Sequence, residues 1–236
     1  MSGFAFTATP GKVGELIRIR YFLPMGVKPE LTFSTFVYER ACDLLVVLVL
    51  SVFIAGKQQM FVVVFVFVIS MVSFLAFLVF KPDLLIRGQI QTGRIGLKRI
   101  AKILHSLRVG LAGCRRWLNF RDIVFSLTLG GLAWGLLSAS FVYLCSKLGI
   151  VIPLGEGLSM YPISMLAGAA SMIPGGLAST EGTIVALLVS YGVDVSKATI
   201  AAVGIRLTTL WFSIVCGFLS VGLLEYVDGN KQLTRK

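Results

Sequence analysis

The chain has 236 residues, of which 56% are hydrophobic and only 14% are charged, whereas about 25% charged residues is usual in soluble domains. This composition excludes an ordinary soluble domain and indicates an integral membrane protein. The 22 Lys and Arg outnumber the 11 Asp and Glu and give a net charge of +11, but no aromatic platform accompanies them, so we expect no nucleic-acid partner.

The N-terminal segment holds three helix-breaking residues in front of a carboxylate. Pro10, Gly11 and Gly14 precede Glu15. Pro and Gly inside a membrane segment are tolerated where the broken backbone is buried in protein or lines a cavity. The segment is therefore predicted to be the tip of a re-entrant arm.

Four segments are long and apolar enough to be membrane spans of about 20 residues. They are Thr32 to Ala55, Met60 to Phe80, Ile123 to Ser146 and Ala198 to Leu224. The first contains Glu39, Arg40 and Asp43, and the fourth contains Arg206. Charges inside spans mark polar partners or a transport path.

The connection 81–122 concentrates Lys and Arg, which predicts that it is cytoplasmic and that the C-terminal tail is cytoplasmic as well. Apolar residues recur within it at helical spacing, at Leu97, Ile100, Leu104, Leu107 and Leu111. This pattern predicts an amphipathic helix. It either lies in the headgroup layer or packs on the protein's own loops.

Two apolar arms of about 15 residues each follow the third span, too short for ordinary crossings. They are Leu158 to Met172 and Leu177 to Tyr191, and they meet at Pro174, Gly175 and Gly176. The arrangement predicts a re-entrant helical hairpin with its tip buried in protein, with Glu181 near the start of the second arm. Two short, tilted spans are the alternative.

The hairpin motif has a counterpart at the N-terminus. Glu15, Gly26 and Arg40 recur as Glu181, Gly192 and Arg206 at a constant offset of 166 residues. Three spans separate the two Pro-Gly tips, so the copies are predicted to enter from opposite membrane faces, as in inverted-repeat carriers.

The predicted fold is therefore an all-α, polytopic membrane helix bundle with an inverted repeat and re-entrant hairpins. Its parts are residues 1–80 as the first repeat, 81–122 as the basic connection, 123–224 as the second repeat and 225–236 as the tail.

Unpaired charges inside a membrane cost about 2.5 to 3.5 kcal/mol each, so these charges should pair. We expect Glu15 to pair with Arg40 and Glu181 with Arg206, or crosswise between repeats, around one polar cavity. Glu39 and Asp43 have no counterparts in the second copy, where Ile205 and Thr209 stand. We expect these pairs to bind substrate; the alternative is that they only hold helices together.

No catalytic triad, phosphate loop, metal-spaced cluster or cofactor motif occurs in the sequence. We therefore expect neither a metal nor a cofactor, and a carrier rather than an enzyme. A homo-oligomer is left open.

With these motifs in view, the chain resembles the flippase-like membrane region of the lysylphosphatidylglycerol synthase family. The resemblance rests on TPGKVGE, on the Gly-Val pairs, on ERACD and on IPGGLASTEG, and covers about Thr9 to Leu224. It implies a prokaryotic inner-membrane protein that moves phospholipid, anionic or aminoacylated, without the soluble domain that makes the lipid. Relatives begin with further spans before the first motif, so we expect this chain to be N-terminally truncated.

The leading functional hypothesis is a lipid flippase that holds a headgroup in the polar cavity. The second hypothesis is a small-solute secondary transporter with the same repeat. Its cavity would be closed to lipid, whereas a flippase needs a groove that opens sideways to lipid. A non-transporting envelope scaffold is the third hypothesis, and retained function after Glu181→Gln and Arg206→Ala would favour it.

Overall fold

A computed structural model describes residues 9–51, 81–94, 108–114 and 118–233, together with helical positions 62, 65–66, 69–70, 73–74, 77 and 105. Their regular structure is helical, and none of these residues lies in a β-strand. The predicted all-α class is confirmed. The α-helices are α1 (Arg18–Phe22), α2 (Pro29–Leu50), α3 (Pro82–Arg94), α4 (Phe120–Lys147), α5 (Leu154–Ala170), α6 (Ser179–Ser190), α7 (Val195–Arg206) and α8 (Phe212–Leu233).

The chain divides into two compact units. The first combines Met1–Arg18 with Leu136–Lys236, and the second is Ile19–Gly135. These units are defined by packing, whereas the predicted repeats are defined by sequence similarity. The predicted domain boundaries therefore stay a prediction.

Two stretches among the described residues are long and apolar enough to cross a membrane, Phe120–Lys147 and Val195–Tyr226. They contain the predicted third and fourth spans. Helix α2 overlaps the predicted first span but begins three residues before it, and three central charges make it less apolar. The predicted second span, Met60 to Phe80, lies largely outside the described residues, and its described positions are helical and exposed.

In the second unit, the end of the basic connection packs on protein. Leu111 and Cys114 are buried together with Leu85, and Val37 of α2 packs against them. This supports the interpretation that this part of the connection packs on the protein itself. The predicted apolar positions Leu97, Ile100, Leu104 and Leu107 lie outside the described residues.

In the first unit, α5 and α6 form a helical hairpin, as predicted. Helix α6 has 12 residues and is therefore about 18 Å long at 1.5 Å per residue. The hydrocarbon core of a bilayer is about 30 Å thick. Helix α6 is thus too short to cross it, which favours a re-entrant hairpin over two tilted spans.

The fourth predicted span contains a π-helical turn. Helix α7 ends at Arg206, and the π-helical residues Leu207–Trp211 connect it to α8. Such turns are rare and occur often at functional sites. Arg206 therefore lies directly before an irregular point in an otherwise continuous helix.

The Gly-Val landmark of the repeat has the same backbone structure in both copies. Gly26 has φ 79° and Gly192 has φ 80°, in the left-handed region that glycine adopts most readily. In each copy the glycine N–H donates to the carbonyl three residues earlier, and the next N–H donates to the carbonyl five residues earlier. The next helices begin at Pro29 and Val195, again 166 residues apart. The opposite membrane orientation of the copies stays a prediction.

Candidate functional site

In the first unit, Arg206 at the end of α7 forms hydrogen bonds to the α5–α6 hairpin. Its Nε donates to Glu181 Oε1 at 2.7 Å, Nη2 donates to the Gly175 carbonyl, and Nη1 lies 3.6 Å from Met165 Sδ. The arginine side chain is only 2% exposed, and that of Glu181 is 22% exposed. The predicted Glu181–Arg206 pair is thus present, with the arginine buried and the glutamate partly exposed.

The break between α5 and α6 makes the Gly175 carbonyl available to Arg206. Pro174–Gly176 forms a short 3₁₀ turn in which Gly175 has φ 65° and leaves helical geometry. Carbonyls at a helix break lack intrahelical partners and must be satisfied by other donors. The guanidinium supplies such a donor at the tip.

Two glycines of the hairpin, one on α5 and one at the tip, are packed closely against Thr180. A methyl group on Gly168 of α5 would lie 2.1 Å from Thr180 Oγ1, and one on Gly176 would lie 2.6 Å from the same atom. Thr180 is 1% exposed. With Thr180 in place, a side chain at either position would force α5, the tip and α6 apart.

The tip was predicted to be buried in protein, but its apolar side chains are exposed. Met172, Ile173 and Leu177 are exposed, while Gly176 is buried. The polar backbone thus faces Arg206, and the apolar side chains of the tip face outward.

Two tip residues other than glycine have positive φ. Met172 has φ 55° and Ala178 has φ 64°, which is uncommon for residues with a side chain. Hydroxyl groups hold this conformation, because Ser171 and Ser179 hydrogen bond to each other at 2.9 Å. Helix α6 then begins at Ser179, so Glu181 lies in its first turn, where a carboxylate is favourable.

The Pro-Gly segment of the first copy meets this tip within the same unit. Cα atoms of Pro10–Ile17 lie within 8 Å of those of Pro174–Gly176. The segment is 3₁₀-helical from Pro10 through Gly11 and Gly14, and the Gly14 N–H donates to Thr9 Oγ1 at 2.6 Å. The two helix-breaking motifs therefore come together.

Glu15 is buried, at 7% exposure, and lies 3.6 Å from Arg18 Nη2. Glu15 and Arg40 belong to different units, so the predicted pair between them stays a prediction.

In the second unit, Arg40 on α2 contacts Asp43 and Phe36 of the same helix. Its Nη2 lies 2.9 Å from Asp43 Oδ2, and the side chains are 25% and 29% exposed. The other carboxylate oxygen of Asp43 accepts a hydrogen bond from Trp134 Nε1 at 3.3 Å. The guanidinium carbon lies 5.8 Å from the centre of the Phe36 ring. Glu39, next to Arg40, is half-buried.

The comparison with protein families decides the identity of the chain. The family model described as lysylphosphatidylglycerol synthase TM region matches residues 1–217. The chain belongs to this family. No curated protein and no solved structure matches it.

Membership in the lysylphosphatidylglycerol synthase TM region family identifies an integral membrane protein related to lipid modification and transport. Among the described residues, no group of three or more His, Cys, Asp or Glu could hold a metal ion. The charged contacts described above instead join arginines to carboxylates.

Glu156 is a buried carboxylate of this lysylphosphatidylglycerol synthase TM region protein that was not among the predicted site residues. It is 8% exposed and lies in the first turn of α5, where the helix dipole favours a negative charge. The Tyr191 hydroxyl faces it from the end of α6. A single Glu just ahead of an apolar arm was the available signal.

Tyr161 was not predicted either, and Thr209 was noted only as the uncharged counterpart of Asp43. The Tyr161 hydroxyl on α5 lies 3.1 Å from Thr209 Oγ1 in the π-helical turn. The Tyr161 ring stacks on the Phe141 ring, with 6.1 Å between the ring centres. Trp134 was missed as the partner of Asp43. Sequence alone gave no signal for these residues, because aromatic residues in apolar helices are common.

Proposed function

We propose that this protein moves phospholipid headgroups between the leaflets of a prokaryotic inner membrane, with its C-terminus in the cytoplasm. The cargo would be an anionic phospholipid, aminoacylated or not. In this proposal the chain is a carrier and not an enzyme, and its partner is membrane lipid.

The contact between Arg206, Glu181 and the Gly175 carbonyl carries this proposal. A carrier needs polar groups inside the membrane and an element with two arrangements. The α5–α6 hairpin supplies a broken backbone held by one arginine. If these contacts exchange for a phosphate oxygen, the tip is released from α7.

The distribution of side chains at the tip favours a lipid over a soluble solute. Gly175 offers its backbone to Arg206, while Met172, Ile173 and Leu177 beside it are exposed and apolar. A lipid has the same division, because its headgroup is polar and its chains are not. A soluble solute would gain nothing from apolar side chains that face outward.

The energetic role of the arginines follows from the cost of moving a charge. A charged group in hydrocarbon is costly unless it is paired and hydrogen bonded. Arginine binds phosphate through a planar set of N–H donors. Glu15 and Glu181 would balance that positive charge or bind the ammonium group of an aminoacylated lipid.

Leaflet exchange in reconstituted liposomes tests the proposal. The liposomes contain fluorescent phosphatidylglycerol or its lysyl derivative, and a membrane-impermeant reductant bleaches the outer leaflet. The intact protein should make the inner-leaflet fraction accessible, and protein-free liposomes should not.

The informative variant is Arg206→Met combined with Glu181→Gln, which removes both charges and leaves no buried ion unpaired. Exchange should fall at least tenfold while the unfolding temperature stays near that of the parent. Arg121→Ala, at an exposed arginine in the first turn of α4, is the matched control and should not change exchange. If intact protein and empty liposomes exchange lipid at the same rate, the proposal is wrong.

A further inference from the structure

We propose that Arg40, Asp43 and Trp134 form the site where the headgroup phosphate first binds, with Trp134 as the positioning residue. The inference rests on the proposed function and adds to it the ligand group and the order of contact. The ligand is a phosphate diester carried by a lipid.

The position of Arg40 in α2 is the first support. Arg40 lies 11 residues from the first residue of this 22-residue helix and 10 from its last. A helix of this length is about 33 Å long, which suits a bilayer crossing. Arg40 would then lie near mid-depth, where a charge must serve a ligand or a strong partner.

The orientation of the guanidinium is the second support. Asp43 uses one oxygen for Arg40 and the other for the Trp134 indole. The carboxylate is therefore held from a second helix, α4, and cannot turn freely. Phe36 lies against the guanidinium, in the arrangement of a cation–π contact. Arg40 is thus oriented before any ligand arrives.

Accessibility is the third support. The Arg40 side chain is 25% exposed and that of Asp43 is 29% exposed, whereas the Arg206 side chain is 2% exposed. The guanidinium of Arg40 is therefore partly open to a ligand in this structure. A phosphate can reach Arg206 only after the contacts to Glu181 and Gly175 have broken.

These observations assign different roles to the two arginines of the repeat. Arg40 binds the phosphate in the conformation described here, and Arg206 holds the hairpin closed. Trp134 acts through Asp43, because removal of the indole donor leaves the carboxylate free to rotate and Arg40 less well oriented.

Tryptophan fluorescence provides the test. The chain has 3 Trp, so Trp117→Phe with Trp211→Phe leaves Trp134 as the reporter. Short-chain phosphatidylglycerol is titrated onto the purified full chain in neutral detergent. Glycerol phosphate and short-chain diacylglycerol are titrated in parallel, because they carry the phosphate or the chains alone.

Phosphatidylglycerol should give a saturable change in Trp134 emission. Arg40→Ala should abolish it, and Arg40→Lys should weaken binding about tenfold, since lysine lacks the planar donor fork. Arg121→Ala should bind like the parent. Diacylglycerol should give no saturable change, and glycerol phosphate should bind at least tenfold more weakly than the lipid.

The role of Trp134 needs a second readout, because Trp134→Phe removes the reporter. Calorimetry with the same lipid should show binding about threefold to tenfold weaker in Trp134→Phe, at an unfolding temperature within a few degrees of the parent. Trp134→His retains a ring N–H donor and should recover part of the affinity. A loss of affinity that only follows a loss of thermal stability would remove Trp134 from the proposal.

Equal lipid binding by Arg40→Ala and the parent would overturn the assignment, and equal binding of glycerol phosphate would overturn a lipid ligand. The result is separable from the proposed function. Binding without leaflet exchange would reject the carrier and keep this site. Leaflet exchange that persists unchanged in Arg40→Ala would keep the carrier and reject the site.

Discussion

Arg40 and Arg206 occupy equivalent positions in the two copies of the repeat, yet their surroundings differ. Arg206 contacts α5, the tip and α6, and its side chain is 2% exposed. Arg40 pairs with Asp43 in its own helix and is 25% exposed. An arginine at the same position of the sequence repeat is therefore buried in one region, at Arg206, and partly exposed in the other, at Arg40.

One residue explains much of this difference. Three residues after the arginine, the first copy has Asp43 and the second has Thr209. Asp43 neutralises Arg40 within the helix. Thr209 carries no charge and instead meets Tyr161, so Arg206 must find its carboxylate on another helix, at Glu181.

The largest expected effect is a difference in the loss of folding stability when either arginine is replaced by alanine. Arg206→Ala should lower the free energy of unfolding by about 3 kcal/mol, because it removes a guanidinium that is only 2% exposed and leaves both Glu181 and the Gly175 carbonyl without their donor. Arg40→Ala should cost about 1 kcal/mol or less, as expected for a partly exposed pair. Denaturant titration in detergent micelles measures both, and similar losses would contradict the comparison.

The close packing of the hairpin should give the next largest effect. Gly168→Ala places a methyl group 2.1 Å from Thr180 Oγ1, and such overpacking typically costs about 1 to 3 kcal/mol. Thr180→Ala in the same chain should recover most of the loss. Gly182→Ala, where nothing lies within 4 Å, is the control and should stabilise α6 by helix propensity. A Gly168→Ala protein as stable as the parent would show that the hairpin is looser than described.

The smallest expected effect concerns the backbone of the tip. Ala178 has φ 64° and ψ −39°, and glycine adopts positive φ more readily. Ala178→Gly should therefore leave stability unchanged or raise it by up to about 1 kcal/mol. Ala186→Gly, at an exposed position inside α6, should lower it by about 1 kcal/mol. Thermal unfolding measures both changes, and equal losses would argue against strain at Ala178.

Several elements could be predicted because local sequence decides them. The arms Leu158 to Met172 and Leu177 to Tyr191 were predicted from apolar runs around a Pro-Gly break, and the structure has helices Leu154–Ala170 and Ser179–Ser190 there. The cost of leaving either charge alone in an apolar setting predicted that Glu181 and Arg206 have partners, and their pairing with each other was one of the two arrangements left open. The exact start of α6 did not follow, because it depends on the serine hydroxyl groups at the tip.

Other parts of the site depend on which surfaces meet. The indole of Trp134 and the hydroxyl of Tyr161 are ordinary in apolar helices, and only the packing of α4 on α2 and of α5 on the π-helical turn gives them polar partners. Glu156 likewise becomes buried, facing the Tyr191 hydroxyl, only once the hairpin has folded.

The sequence by itself determined the membrane class, the two apolar arms around a Pro-Gly break and the charges that must find partners, because hydrophobicity and the cost of a buried charge act locally. Only the tertiary structure decided which arginine is sealed and which is accessible. That outcome depends on a backbone carbonyl at a helix break and on the distances between helices, and neither is encoded in the spacing of residues along the chain.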